Sequence, residues 1–247
     1  FMDADGIPLA FSLHSGNTNE QTTLKPLEEQ IIRDFGHSRF VVCTDAGLSS
    51  IANRKFNNTA NRAFITTQSL KQMKAFQKEW ALSPEGWSIS GDSHEYNLND
   101  ILSDPELCEK YRDTIFHMER WFNENKIEQR YIVSFSIKYR NYLRNIRNEQ
   151  ISRAQKSLNA TGTIEKSKQT DYKRFITRIA TTQDGEIAEQ KVYVLNEDKI
   201  KEEEQYDGFY ATATNLEDQA EQIIKINRNR WEIEESFRIM KSELKAR

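Results

Sequence analysis

Two short runs, Arg39 to Thr44 (RFVVCT) and Ala63 to Thr67 (AFITT), limit what this chain can become. Both are apolar and β-branched with almost no polar alternation, which is the pattern of strands buried inside a sheet. Helical periodicity surrounds them. Residues 20–35 (EQTTLKPLEEQIIRDF) place Leu24, Leu27, Ile31, Ile32 and Phe35 at helical spacing, and Gly36 stops that helix. Residues 49–60 have a helical pattern as well. Ahead of these, Asp5-Gly6 turns a hairpin whose second strand runs Leu9 to Leu13, and Ser15 to Thr18 is a turn cluster able to cap a helix. The first 70 residues therefore read β-β-α-β-α-β, an α/β layer with a sheet of mixed direction. The hairpin turn needs a strand before it, and only two residues of that strand precede the turn, so the reading predicts a chain without its natural N-terminal portion.

From residue 71 the pattern changes. Polar helix-like stretches (Leu70–Trp80, Asp104–Asn125, Lys138–Ser157) alternate with strand-like ones (Gln129–Phe135, Lys173–Ala180, Ala188–Leu195), with turns near 162–168 and Gly185. Asp207-Gly208 leads into Phe209 to Thr214 (FYATAT), one more strand, and a long final helix starts near Asn215. The simplest organisation is one α/β domain. Residues 1–70 begin its core, 71–206 form a mixed insertion, and 207–247 return as strand and helix.

With 247 residues, 37% hydrophobic and 30% charged, the chain can bury a sizeable core yet offers no run long enough to span a bilayer. No signal-peptide pattern opens it. Cys43 lies in the apolar run and reads as a small core residue, while Cys108 is far away in sequence, so neither a disulfide framework nor a zinc site is indicated. These features predict a cytosolic setting. A net charge of −3 argues weakly against a polyanion partner, but the charge is segregated. Residues 138–156 hold six bases and one acid, and 225–247 hold seven bases and four acids. Such segregation suits basic faces on a neutral body, and equally suits ordinary solvated helices.

Two places carry candidate chemistry. Asp45 follows the first buried run directly, with Ala46-Gly47 after it, where α/β sheets present ligands at strand carboxyl ends. The plain alternative is a helix cap. The second place is Asn227 to Arg247 (NRNRWEIEESFRIMKSELKAR). Here Arg230, Glu234 and Lys241 fall at i, i+4 and i+11 along one helical stripe, with Trp231, Ile233, Phe237 and Met240 between them. An acid flanked by bases suits a hard cation held against a phosphate backbone. An amphipathic surface helix with local charge pairs has the same spacing. If strand and helix rejoin one sheet, Asp45 and Glu234 converge into a divalent-metal site. His14, His37, His94 and His117 show no metal-like spacing, and Trp80, Trp87 and Trp121 read first as packing residues.

R-x3-E-x6-K, from Arg230 through Glu234 to Lys241, resembles the Y-x2-R-x3-E-x6-K signature of bacterial insertion-sequence transposases of the DDE class, and Trp231 to Lys241 is similar to those proteins nearly residue for residue. Asp45-Ala46-Gly47 resembles the segment with their second catalytic aspartate. Asp5 to Pro8 with Gly16 to Thr18 resembles the preceding hairpin, and Asp207-Gly208-Phe209 the returning strand. The resemblance implies an RNase H-like mixed sheet flanked by helices and interrupted by a large β-rich mixed insertion before the last helix. It implies Mg²⁺ (or Mn²⁺) on Asp45 and Glu234 and strand cleavage followed by 3′-OH transesterification. It also implies DNA contacts from Asn227, Arg230, Arg238 and Lys241, and a homodimer on double-stranded element ends and target in the bacterial cytoplasm, at the nucleoid. Asn227 stands where the family has tyrosine. The family's first aspartate lies upstream of residue 1, and Asp3 and Asp5 belong to the hairpin turn, so this stretch alone is expected not to cleave DNA. The alternatives are a catalytically incomplete remnant that binds DNA and another RNase H-like nuclease.

Overall fold

The computed structural model describes residues 12–36, 39–158, 171–181 and 190–229. Its elements, in chain order, are α1 (Leu24–Phe35), β1 (Phe40–Thr44), α2 (Ile51–Phe56), β2 (Arg62–Gln68), α3 (Ala75–Ala81), β3 (Ser88–Ile89), α4 (Leu98–Ser103) and α5 (Pro105–Lys110). They continue with β4 (Phe116–Glu124), β5 (Ile127–Phe135), α6 (Ile137–Leu158), β6 (Ile176–Thr181), β7 (Gln190–Leu195), α7 (Glu197–Glu204), β8 (Phe209–Thr214) and α8 (Ala220–Asn229). The expected hairpin before Leu13 and the turns near 162–168 and Gly185 lie outside the described residues.

Two compact units divide the described chain. One draws on Phe1–Leu98, Ile115–Ser134 and Tyr210–Arg247, the other on Asn99–Thr114 and Phe135–Phe209. The first holds a six-stranded mixed sheet in the order β1-β2-β8-β5-β4-β3. β1 and β2 run parallel, from Phe40 opposite Arg62 to Thr44 opposite Thr66, and β8 pairs antiparallel to β2 with Ile65 opposite Thr214. Strand alternation then sorts the side chains. Val42, Thr44, Phe64 and Thr66 share a small space with Leu24 of α1 and with Asn53, Arg54 and Asn57 of α2. Ile65 and Cys43 turn the other way and pack with Ile223 and Ile224 of α8. Helices thus cover both faces of the β1-β2 ladder, as the apolar runs require. The result is the mixed α/β arrangement of an RNase H-like fold.

β4 departs from the sequence expectation. The stretch Asp104–Asn125 reads as helix, but only Pro105–Lys110 is helical, capped by the Asp104 side chain on the Glu106 and Leu107 amides, and Phe116–Glu124 is a strand. Tertiary pairing decides the outcome. Asn125 (φ 55°) and Lys126 (φ 63°) form a two-residue turn with both residues left-handed, which matches the strand twist and folds β4 onto β5. Phe116 and Met118 are thereby buried. β3, β4 and β5 all come from the stretch 71–206, so the sheet includes strands from within that stretch.

The second unit is built on α6, the β6-β7 hairpin and α7. Ala154, Phe175, Ile176 and Ile200 form its apolar centre. Beside them Arg147 gives two 2.6 Å bonds, Nη1 to Asp207 Oδ1 and Nη2 to Asp207 Oδ2. Arg174 is similarly forked on Glu203, at 2.9 and 3.0 Å.

Candidate active site

Asp45 stands one residue beyond β1 in extended backbone (φ −80°, ψ −177°), and its Oδ1 accepts the Leu48 amide at 3.1 Å, capping a 3₁₀ turn over Ala46–Leu48. Oδ1 thus serves as the cap, while Oδ2 has no hydrogen bond among the described residues and the side chain is exposed. The main chain beneath it is fixed by two threonines. The Thr44 hydroxyl donates to Thr66 Oγ1 at 2.9 Å, and the Thr66 hydroxyl donates to the Asp45 carbonyl at 3.1 Å.

A second carboxylate lies beside the first. A Cβ placed on Gly47 would sit 3.2 Å from Asp45 Oδ1 and 3.4 Å from Glu20 Oε2, so the missing side chain lets two acids approach one point. Glu20 opens a 3₁₀ turn of its own, Glu20–Thr22, capped by Asn19. The buried Asn53 amide ties the two turns together, donating to the Leu48 carbonyl and the Gln21 carbonyl at 2.9 Å each. Arg54, equally buried, donates through Nε to the Ser49 carbonyl at 3.1 Å. Neither Glu20 nor Asn53 carries a sequence signal. The 3₁₀ turn at Glu20 sits inside what reads as helix, and Asn53 is one amide on a short helix.

α8 is docked on the strand that leads to Asp45. Asn227 is 4% exposed, and its amide nitrogen donates to Tyr210 Oη at 3.3 Å and Thr212 Oγ1 at 3.2 Å on β8. Its Oδ1 accepts the Cys43 thiol at 3.8 Å, two residues before Asp45. Tyr210 in turn shares a 2.5 Å hydrogen bond with Thr67 of β2. The sequence reading expects Asn227 at DNA; in the fold its side chain is buried and its hydrogen bonds go to the sheet, where they hold α8. Arg230, Glu234, Arg238 and Lys241 lie outside the described residues.

Among the described residues no three His, Cys, Asp or Glu side chains gather as a metal site. What is present suits a hard divalent ion: Asp45 offers a carboxylate oxygen with no protein donor on it, beside a second carboxylate. The tryptophans are packing residues in the main. Trp87 is fully buried with Nε1 donating to the Ser83 carbonyl at 2.8 Å, and Trp80 meets Phe122 edge-on at 5.5 Å. Trp121 is half-exposed beside Arg130. Cys43 and Cys108 form no disulfide, and no helix among the described residues is long and apolar enough to cross a membrane.

A mixed sheet covered by helices on both faces, with a carboxylate at the carboxyl end of one strand, defines an α/β domain of the RNase H-like kind. The chain belongs to the family described as Transposase DDE domain, whose match runs over residues 1–247. No curated protein and no solved structure matches it. Membership makes it a transposase domain, an enzyme of DNA transposition and recombination.

Proposed function

We propose that this region carries out metal-dependent strand cleavage and 3′-OH transesterification, with Asp45 and Glu234 as two of the carboxylates of one metal site. The observation that supports this most is the docking of α8 through Asn227 onto Cys43, since it seats the helix leading toward Glu234 on the strand leading to Asp45. A divalent ion, Mg²⁺ or Mn²⁺, would supply Lewis acidity at the scissile phosphate. Asp45 contributes a rigid oxygen ligand, because Thr66, the Leu48 amide and Asn53 leave its loop little freedom. Glu20 adds negative charge next to it, which favours a dication over a monovalent ion. Arg230, Arg238 and Lys241 grip phosphates of double-stranded DNA, and two copies of the chain act together on the element ends.

The test is made in the full-length protein. Glu234→Gln is expected to abolish strand cleavage in Mg²⁺ while DNA affinity stays within about twofold. Cleavage at the unaltered rate by that variant would remove Glu234 from the site.

A further inference from the structure

α6 has 22 residues, so it is about 33 Å long. Its inner face is occupied: Ile137, Arg147 and Ala154 are buried, with Arg147 locked on Asp207. The outer face is unusual in two ways. It exposes aromatic and aliphatic surface, with Tyr142 58%, Tyr139 37% and Ile146 37% accessible, and the two tyrosine rings lie nearly parallel at 20° with centroids 6.4 Å apart. Apolar side chains grouped on one exposed helix face, unlike singly scattered ones, mark a candidate contact surface. Along the same face the charges are one-sided. Lys138, Arg153 and Lys156 are exposed, against the single acid Glu149. Lys156 has no ion pair among the described residues, and the pairs Lys138–Asp113 and Arg153–Glu149 are both solvent-exposed, at 3.1 and 3.7 Å, and so hold weakly against a competing anion.

Basic side chains spaced along a helix with open aromatic rings between them match one kind of partner. The cations match a phosphate backbone, and the rings can stack only on bases that are not already stacked in a duplex. We propose that the outward face of α6 binds a DNA strand with unpaired bases, the tyrosines stacking on bases while Arg153 and Lys156 hold phosphates. A second copy of this chain fits less well, because the same basic face would have to meet itself in a two-fold dimer. The proposal rests on the transposase reading only for the choice of DNA as partner.

The experiment measures anisotropy of labelled single-stranded and duplex oligonucleotides with the full-length protein in EDTA, across a salt series. Tyr142→Ala is expected to weaken single-strand binding about tenfold and duplex binding far less, while Tyr142→Trp retains it. Arg153→Ala with Lys156→Ala is expected to flatten the salt dependence by about 1.4 in log–log slope. Glu149→Gln is expected to tighten binding roughly threefold, a sign that no merely structural role produces. Unchanged affinity and slope in these variants would overturn the proposal, as would equal losses on both probes or a fall in oligomeric mass in Tyr142→Ala. An Asp45→Asn background separates the two readings. It loses cleavage if the catalytic proposal holds, and the α6 variants change binding in that background regardless.

Discussion

Arg54 and Arg147 are equally buried, each 5% exposed, yet the two units hold them in different ways. Arg54, in the sheet unit, has neutral acceptors only: Gln129 Oε1 at 2.9 Å, Gln68 Oε1 at 2.6 Å and the Ser49 carbonyl. Burial pulls its pKa down, against smaller opposing effects of Tyr131 and Glu124. Arg147, in the helical unit, sits on a carboxylate, and the hydrogen bonds to Asp207 raise its pKa. The difference shows what each unit needs. The helical unit neutralises its charges in pairs and gains one fixed packing of α6 against the chain before β8. The sheet unit pairs Arg130 with Glu119, but around Asp45 it uses amides, hydroxyls and the unneutralised guanidinium of Arg54 to hold turns whose carboxylates stay open to solvent. A carboxylate locked on an arginine is unsuited to bind a metal, and under the proposed function the looser arrangement is the one that Asp45 requires.

The largest loss is expected at Arg147. Arg147→Met takes both 2.6 Å bonds from buried Asp207, leaving it only Arg144 at 3.6 Å, and is expected to cost about 3–5 kcal/mol in urea unfolding, with much of that recovered in Arg147→Met/Asp207→Leu. No recovery in the double variant would mean that the pair does more than neutralise. The next test is on Glu28, fully buried on α1 and bonded to the Asn57 amide at 2.9 and 3.0 Å. Burial raises its pKa from 4.5 to about 7, against the lowering by Asn57 and Arg62. A pKa raised by folding means the proton is held in the folded state. The stability it contributes is therefore complete below the ordinary carboxylate range and is lost as pH rises through about 7. The loss is on the order of 3 kcal/mol, and Glu28→Gln should flatten the stability profile between pH 4.5 and 7. A wild-type profile equally flat there would contradict a buried, proton-holding Glu28.

Smaller effects follow for single neutral bonds. Arg54→Met leaves three acceptors unsatisfied but no stranded charge, and should cost about 1–3 kcal/mol, less than Arg147→Met. An equal or larger loss would erase the distinction between the units. Asn227→Ala is expected to cost about 1–2 kcal/mol and to loosen α8, seen as faster amide exchange in Ala220–Asn229 with β8 still protected.

How much of this is legible in the sequence follows from the range of each interaction. RFVVCT, AFITT and FYATAT declare their strands because apolar β-branched runs of that length have few other uses, and Gly36 ends α1 at φ 65° as its position suggests. The position and capping of Asp45 are legible because they are local, one residue after a strand. β4 is not, since pairing with β5 overrides its polar composition. Glu20, Asn53 and Asn227 are not, because each acts through a residue 15 to 184 positions away, as in the Cys43–Asn227 bond. In 138–156 the composition shows six bases but hides that Arg147 faces inward.

If Asp45 and Glu234 share a metal ion, softening either ligand changes which metal supports cleavage. Asp45→Cys and Glu234→Cys, each in the full-length protein, replace a hard oxygen ligand by a thiolate that binds Mg²⁺ poorly and softer ions better. Strand cleavage is expected to be lost in Mg²⁺ and partly restored in Mn²⁺ for both variants. Full activity in Mg²⁺, or equal loss in both metals for either residue, would contradict a shared metal ion.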